Sequence, residues 1–219
     1  MTGSALPIPS EVTVAPKNRE NPSWWEEADV VCSRGCQVHM RPLRPSDRAS
    51  LIEMFQRASD RAIRQRFFTS SRIAVVSYLD SVLGETQLNR SSVVALVNAR
   101  MVGLAEYQLT GSDRAEIACF VAEDHHHSGV GELLISHLVR LARHHGIHTF
   151  DAETLPENTA ALRALRHTGL PELEERHPGM IHIRLDLTTV KTAALVETPT
   201  PPHQDVHPQT HVGKPIVPR

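Results

Sequence analysis

The hydrophobic period of this chain switches from strand-like to helical near residue 129, and that switch limits what it can fold into. "SSVVALVNARMVGLAEYQLT" holds two apolar runs separated by Asn98-Ala99-Arg100, the pattern of a β-hairpin. After the polar turn "TGSDR", the run "AEIACFVA" supplies a third strand of a meander. From Gly129 onward Val130, Leu133, Leu134, Leu138, Leu141 and Ala142 keep helical spacing until Gly146, a residue suited to ending a helix. A three-stranded meander thus runs through a short polar turn into a long amphipathic helix.

The rest of the chain fits around that unit. Val38 and Met40 alternate with polar neighbours as a short strand, and Ser46 or Asp47 caps a helix carrying Leu51, Ile52, Met54 and Phe55. Helical patterning continues through "DRAIRQRFF" and "SRIAVVSYLDSV". After Gly146, Ile147, Phe150 and Ala152 read as a strand, Asn158 to His167 as a second short helix, and "GMIHIRLDLT" as a closing strand. The order is β, two or three α, three β, α, β, α, β. Only 40% of residues are apolar and the shortfall lies at the ends, which leaves roughly 150 residues for one core. We expect a flexible arm over 1–35, a domain over 36–189 and a disordered Pro-rich tail over 190–219. Trp24 and Trp25 in the arm are expected to dock on the domain or on a partner.

Charge and composition remove several classes of function. A net charge of −2 and a pI near 6.7 argue against a large nucleic-acid footprint. No apolar run approaches the ~20 residues needed to span a bilayer. The first residues lack a basic segment followed by an apolar block, so no secretory signal is read and the expected location is cytoplasmic. Cys119 lies in an apolar strand, the setting of a buried thiol. Cys32 and Cys36 could form a redox pair or half of a metal site, but no further ligands accompany them.

The unusual stretch is "VAEDHHHSGVGELL". His125, His126 and His127 are adjacent, so on a strand-to-helix turn they point in different directions and do not converge on a metal; no metal site is expected. Ser128-Gly129-Val130-Gly131 opens the long helix, where four backbone N–H groups lack intrahelical partners and the helix dipole is positive. Glycines there let an anion reach the backbone. The dinucleotide fingerprint is absent, because a third glycine is missing and a meander precedes the turn. A solvated polar turn is the plain alternative.

Residues 121–170 resemble the core of the GNAT superfamily of CoA-dependent N-acyltransferases. That family carries Gln/Arg-x-x-Gly-x-Gly/Ala before its central helix; here the turn reads His126-His127-Ser128-Gly129-Val130-Gly131. Asn158 stands where the family's Asn is expected, and Gly169-Leu170 replaces its Gly-Phe. "HMRPLRPSDRASL" and "DRAIRQRFF" are similar to the bacterial protein-lysine acetyltransferase branch, and the similarity runs from about Val38 to Leu187. The resemblance implies an α/β (α+β) fold, a mixed and mostly antiparallel sheet flanked by helices in one domain. It implies acetyl-CoA as co-substrate and direct transfer to a primary amine, most simply a protein lysine.

Site residues follow from the same resemblance. The backbone of Cys119, Phe120 and Val121 would bond the pantetheine arm, and the turn from His126 to Gly131 with Asn158 would hold the rest of the cofactor. Two positions depart from the pattern. His126 offers one N–H donor when neutral, against arginine's five, and Leu165 stands where many relatives place a tyrosine acid. A lysine amine has a pKa of about 10.4, so a base must take its proton. Glu116, alternating with Ala118 and Phe120 and matching an Ala-Glu-hydrophobic signature of the protein-lysine branch, is the expected base, with Glu106 in reserve. An apolar setting would raise the carboxyl of Glu116 toward neutrality. The altered turn and absent tyrosine also admit an inactive acyl-CoA-sensing module, and a small-molecule amine remains an alternative acceptor.

Overall fold

The computed structural model describes residues 27–84 and 89–189, so Trp24, Trp25 and the Pro-rich tail lie outside the described residues. Eight strands form one sheet in the order β1-β2-β3-β4-β5-β6-β8-β7. They are β1 (Ala28–Val31), β2 (Gln37–Pro42), β3 (Arg90–Val97), β4 (Arg100–Leu109), β5 (Arg114–Val121), β6 (Thr149–Thr154), β7 (Glu172–His177) and β8 (Met180–Asp186). The pairing of β5 with β6 is parallel; every other neighbouring pair is antiparallel. Five helices flank the sheet: α1 (Arg48–Gln56), α2 (Asp60–Phe67), α3 (Arg72–Leu83), α4 (Val130–His144) and α5 (Thr159–His167).

The strand period places alternate residues in two cores. Val93, Ala105, Ile117, Phe150 and Ile183 face α4 and α5, packing on Leu134, Leu138 and Leu162. Val94, Leu104 and Phe120 face the opposite way, onto Phe55 of α1, Ile63 of α2 and Leu79 of α3. The hairpin turn at Asn98 and Ala99 takes positive φ at both residues (50° and 62°), the twist that suits a two-residue loop. Asp47 is buried at the start of α1, where both carboxylate oxygens accept from Arg41 (2.7 and 2.8 Å) and one accepts from the Arg44 amide.

Two strands exceed the sequence reading. The arm boundary expected at residue 35 falls within a hairpin, because Ala28–Val31 pairs with β2 as an edge strand. Its four residues are too few to show a period. The other is β7, "ELEERH", which is almost wholly polar and exposed. As the edge of the sheet it covers no core, so it carries no apolar alternation. Between β1 and β2, Cys32 and Cys36 form a disulfide with Cα atoms 5.2 Å apart.

Candidate active site

The site begins where two strands part. β5 and β6 pair only from Arg114–Thr149 to Glu116–Asp151. Beyond that point β5 stays with β4 as far as Val121, while β6 stays with β8 as far as Thr154. The edge of β5 from Ile117 to Val121 is therefore left without a strand neighbour on that side, and the Val121 carbonyl there accepts from the His126 side chain instead. A cleft occupies the divergence. Cys119, Phe120 and Val121 form one wall; His125, His126, His127, Gly129, Gly131 and Glu132 form its mouth. Asn158, Ala160, Ala161, Arg163 and Ala164 come from α5, and Ala62, Gln65 and Arg66 from α2.

The residues selected from the sequence for the cofactor line this cleft, except Ser128 and Val130, whereas the expected base Glu116 lies outside it. Ser128 and Val130 are buried under the turn, so only their backbone can face a ligand. Ser128 Oγ donates to the His125 carbonyl (2.5 Å), which closes the turn on itself. Gly129 has φ of +92° and precedes the first residue of α4, whose Val130 N–H donates to Ser128 Oγ at 3.4 Å. An added Cβ at Gly131 would make ordinary contact with Val121 Cγ2 at 3.5 Å, so the glycine is not needed to pack the free protein. The Nε2–H of His126 donates to the Val121 carbonyl at 2.8 Å. Asn158 caps α5, its Oδ1 accepting from the Ala161 amide (3.2 Å), so it has a structural task as well as a place in the lining.

Sequence reasoning did not place α2 or Arg163 in the cleft. The α2 segment carried the branch resemblance, but its cleft face, Ala62-x-x-Gln65-Arg66, has no chemical signature of its own. The N-terminus of α2 is tied to the turn after β5: Ser59 N–H and Oγ–H donate to Glu123 (2.9 and 2.8 Å), and the Ser59 amide holds that carboxyl below its usual range. Arg66 donates to the buried Glu106 at 2.8 Å, and its guanidinium lies 4.9 Å from the ring centres of both Phe67 and Tyr78. Glu106 is the counter-ion that fixes Arg66, with Ser92 and Arg90 also beside it. Burial pushes the Cys119 thiol up to about 12, against the pull of Arg66. A thiol held neutral is a poor nucleophile, which disfavours an acyl-cysteine route.

Glu116 lies at the last paired position before the strands part, on the face away from α4. It is exposed, and shares an open depression with Thr110, Arg114, Asp151, Glu153 and His182. The apolar surround expected for it is absent there. Among the described residues Glu116 makes no ion pair, whereas Asp151 is held by Arg114, Arg184 (3.2 Å) and His182 (3.2 Å). Leu165 is buried in the core and contributes nothing to the cleft. No group of three or more metal-ligating side chains occurs among the described residues, and none of their helices is long and apolar enough to cross a membrane.

The parted parallel pair, the glycine turn at a helix start and the edge of β5 thus border one cleft. The sequence matches the acetyltransferase (GNAT) family over residues 52–170. It is 28% identical over 152 residues to an acetyltransferase of Pseudomonas aeruginosa, covering 67% of this chain and 77% of that protein. The GNAT domain of the S. lividans PAT superposes with a TM-score of 0.67 at 26% identity, covering 76% of this chain and 99% of that one. The fold is shared too with yncA of Salmonella typhimurium, solved with acetyl-CoA (TM-score 0.58, 20% identity, 72% of this chain and 96% of that one). The chain belongs to the GNAT acetyltransferase family, and its activity is acyl transfer from acetyl-CoA.

Proposed function

We propose that the protein acetylates a lysine side chain of another protein, with Glu116 as general base. The observation that carries this reading is the two-sided geometry of the β5–β6 divergence. The cleft is lined by α2 from one face of the sheet and by α5 and the start of α4 from the other, while Glu116, at the last paired position before the strands part, lies in a separate open depression. Acetyl-CoA would enter from the helical side, its phosphates on the amides of Gly129, Val130 and Gly131 and its arm along Cys119 to Val121. The amine would arrive from the other side. That side is an open surface, which suits a side chain carried on a folded partner better than a small free amine. The similarity to the S. lividans PAT, a protein acetyltransferase, supports the same acceptor class.

The chemistry follows from the layout. Three residues of strand separate Glu116 from Cys119, a span of about 10 Å, so a water would carry the amine proton to the carboxylate. The neutral nitrogen attacks the thioester carbonyl, whose oxygen is polarised by a free β5 amide. As the C–S bond breaks, Arg66 on the cleft wall stabilises the thiolate, which then takes a proton from solvent in place of the missing tyrosine. Neutral Cys119 stays out of the reaction. A location in the cytoplasm, where acetyl-CoA and protein lysines coexist, fits this reading. The test is acetyl-CoA turnover with a lysine peptide, a folded lysine-bearing protein, a polyamine and an aminoglycoside, scored by free thiol and by mass. Acetylation of the protein lysine supports the proposal; transfer to the small amines alone replaces it with a small-molecule enzyme.

A further inference from the structure

The Cys32–Cys36 disulfide closes the turn between β1 and β2, and that turn rests on the cofactor loop. Within the turn, Cys32 N–H donates to Cys36 O and Gly35 N–H to Cys32 O, both at 2.8 Å, and the Cys36 amide lies 3.0 Å from Cys32 Sγ. Cys32 is buried in the core beside α4, while Cys36 is half-buried and reachable from solvent. Ser33, inside the loop, donates its hydroxyl to the Ser128 carbonyl at 2.6 Å. The fit is close, since a Cβ at Gly129 would come within 2.8 Å of Ser33 Oγ.

That hydrogen bond bears on the cofactor directly. The Ser128 carbonyl and the Gly129 N–H belong to one planar trans peptide and point in opposite directions. Holding the carbonyl on Ser33 therefore aims the Gly129 N–H away from the turn and strengthens it as a donor. We propose that the Cys32–Cys36 pair is a redox site that sets acetyl-CoA affinity through Ser33 and the Ser128–Gly129 peptide. The proposal rests on the reading that this cleft takes acetyl-CoA. Oxidised, the five-residue loop presents Ser33 in place before the cofactor arrives. A protein dithiol transfers two electrons and two protons, breaking the S–S bond to give two thiols and becoming a disulfide itself. The freed turn then samples more conformations, and the peptide is no longer pre-oriented.

The experiment is calorimetric titration of the full chain with acetyl-CoA, before and after treatment with a trialkylphosphine. The phosphine takes up oxygen from water as the disulfide becomes two thiols, and it leaves the thioester intact. Alkylation and mass spectrometry confirm each redox state. Losing one neutral hydrogen bond to the loop predicts a dissociation constant about fivefold to tenfold higher in the reduced protein. The Cys32→Ser/Cys36→Ser double variant should bind like the reduced protein under both conditions. Ser33→Ala, an exposed change that keeps the disulfide, should bind weakly in both states and lose the redox response. Equal affinities in the two confirmed states overturn the inference, as does a full redox response in Ser33→Ala or a pair that stays dithiol under oxidant. No binding of acetyl-CoA in any state instead refutes the reading of the cleft, and the inference falls with it.

Discussion

The two faces of the β5–β6 divergence are built from different materials. In the cleft, strand backbone, Gly129, Gly131 and the alanines of α5 alternate with the polar side chains of Gln65, Arg66, His126, Glu132, Asn158 and Arg163. On the other face the surface is made of charged side chains, Arg114 and Glu116 from β5, Asp151 and Glu153 from β6, and His182 from β8. The glycine turn and strand amides of the cleft have no side-chain identity to vary, whereas the charged face is made of side chains alone. Under the proposed function, that contrast puts the features shared by the family in the backbone of the cleft and the choice of acceptor on the charged face.

The sharpest way to break that division is Glu116→Gln. The change is nearly isosteric and lies outside the cofactor cleft, so acetyl-CoA affinity should be unchanged. Turnover should fall by about 10²–10⁴, the usual weight of a general base, with the loss in kcat. Raising the pH should partly restore the rate by deprotonating the amine in solution. Wild-type turnover in this variant would move the base elsewhere, although Glu106 is poorly placed to replace it because Arg66 already engages its carboxylate.

The complementary change on the cofactor side is Gly131→Ala. Its methyl would meet Val121 Cγ2 only at van der Waals distance, and alanine favours the first turn of α4. Thermal stability should hold or rise slightly. Acetyl-CoA affinity should nevertheless fall about tenfold, since the methyl occupies the space from which a phosphate reaches the amides. Unchanged binding would place the phosphates away from this turn.

The same contrast explains how much was legible in the sequence. One part of the cleft lining, from Cys119 to Asn158, could be read because it lies within a continuous stretch where glycine and helix-start chemistry constrain residue identity; the α2 wall and Arg163 could not. The antiparallel meander and α4 were equally plain, since each has one buried face and a clear period. The charged face was not legible. Glu116, Asp151 and His182 are neighbours only through strand register, and a polar residue on a strand looks the same whether it lines a site or meets solvent. The apolar setting expected for Glu116 was inferred from its neighbours in sequence, Ala118 and Phe120. In the fold α1–α3 cover Phe120 but stop short of residue 116. The edge strand β7 stayed hidden for a related reason, as it buries nothing.

A smaller effect should come from His126, the one imidazole in the cleft whose partner is a backbone carbonyl of the cofactor wall. Donation from Nε2–H to the Val121 carbonyl occupies an acceptor that the pantetheine amide would use. Binding should therefore release His126 toward the phosphates. His126→Arg, which offers five donors there, should bind acetyl-CoA about threefold to fivefold more tightly than the wild type. Equal affinities for the two proteins would remove His126 from phosphate binding.

The smallest effect tests whether the charged face is organised for the acceptor or merely for stability. Burial pushes the Asp151 carboxyl up, but hydrogen bonds from Arg114 and Arg184 and their charges outweigh it, so it sits below the usual carboxylate range. A depressed carboxyl stabilises the fold above its unfolded value, near 3.9, and loses that contribution as pH falls through the folded one. Asp151→Asn should thus lower stability at pH 7 by about 1 kcal/mol or less, because its partners are well exposed and screened. The difference from wild type should shrink in high salt and disappear at pH values well below 4. If the face serves the acceptor, a second change accompanies this one. Arg114 stands two residues from Glu116 on the same face, and without Asp151 it is free to pair with that carboxylate. A paired Glu116 is a weaker base, so turnover should fall severalfold while acetyl-CoA affinity stays constant. A loss of stability with unaltered turnover would leave Asp151 a structural counter-ion and nothing more.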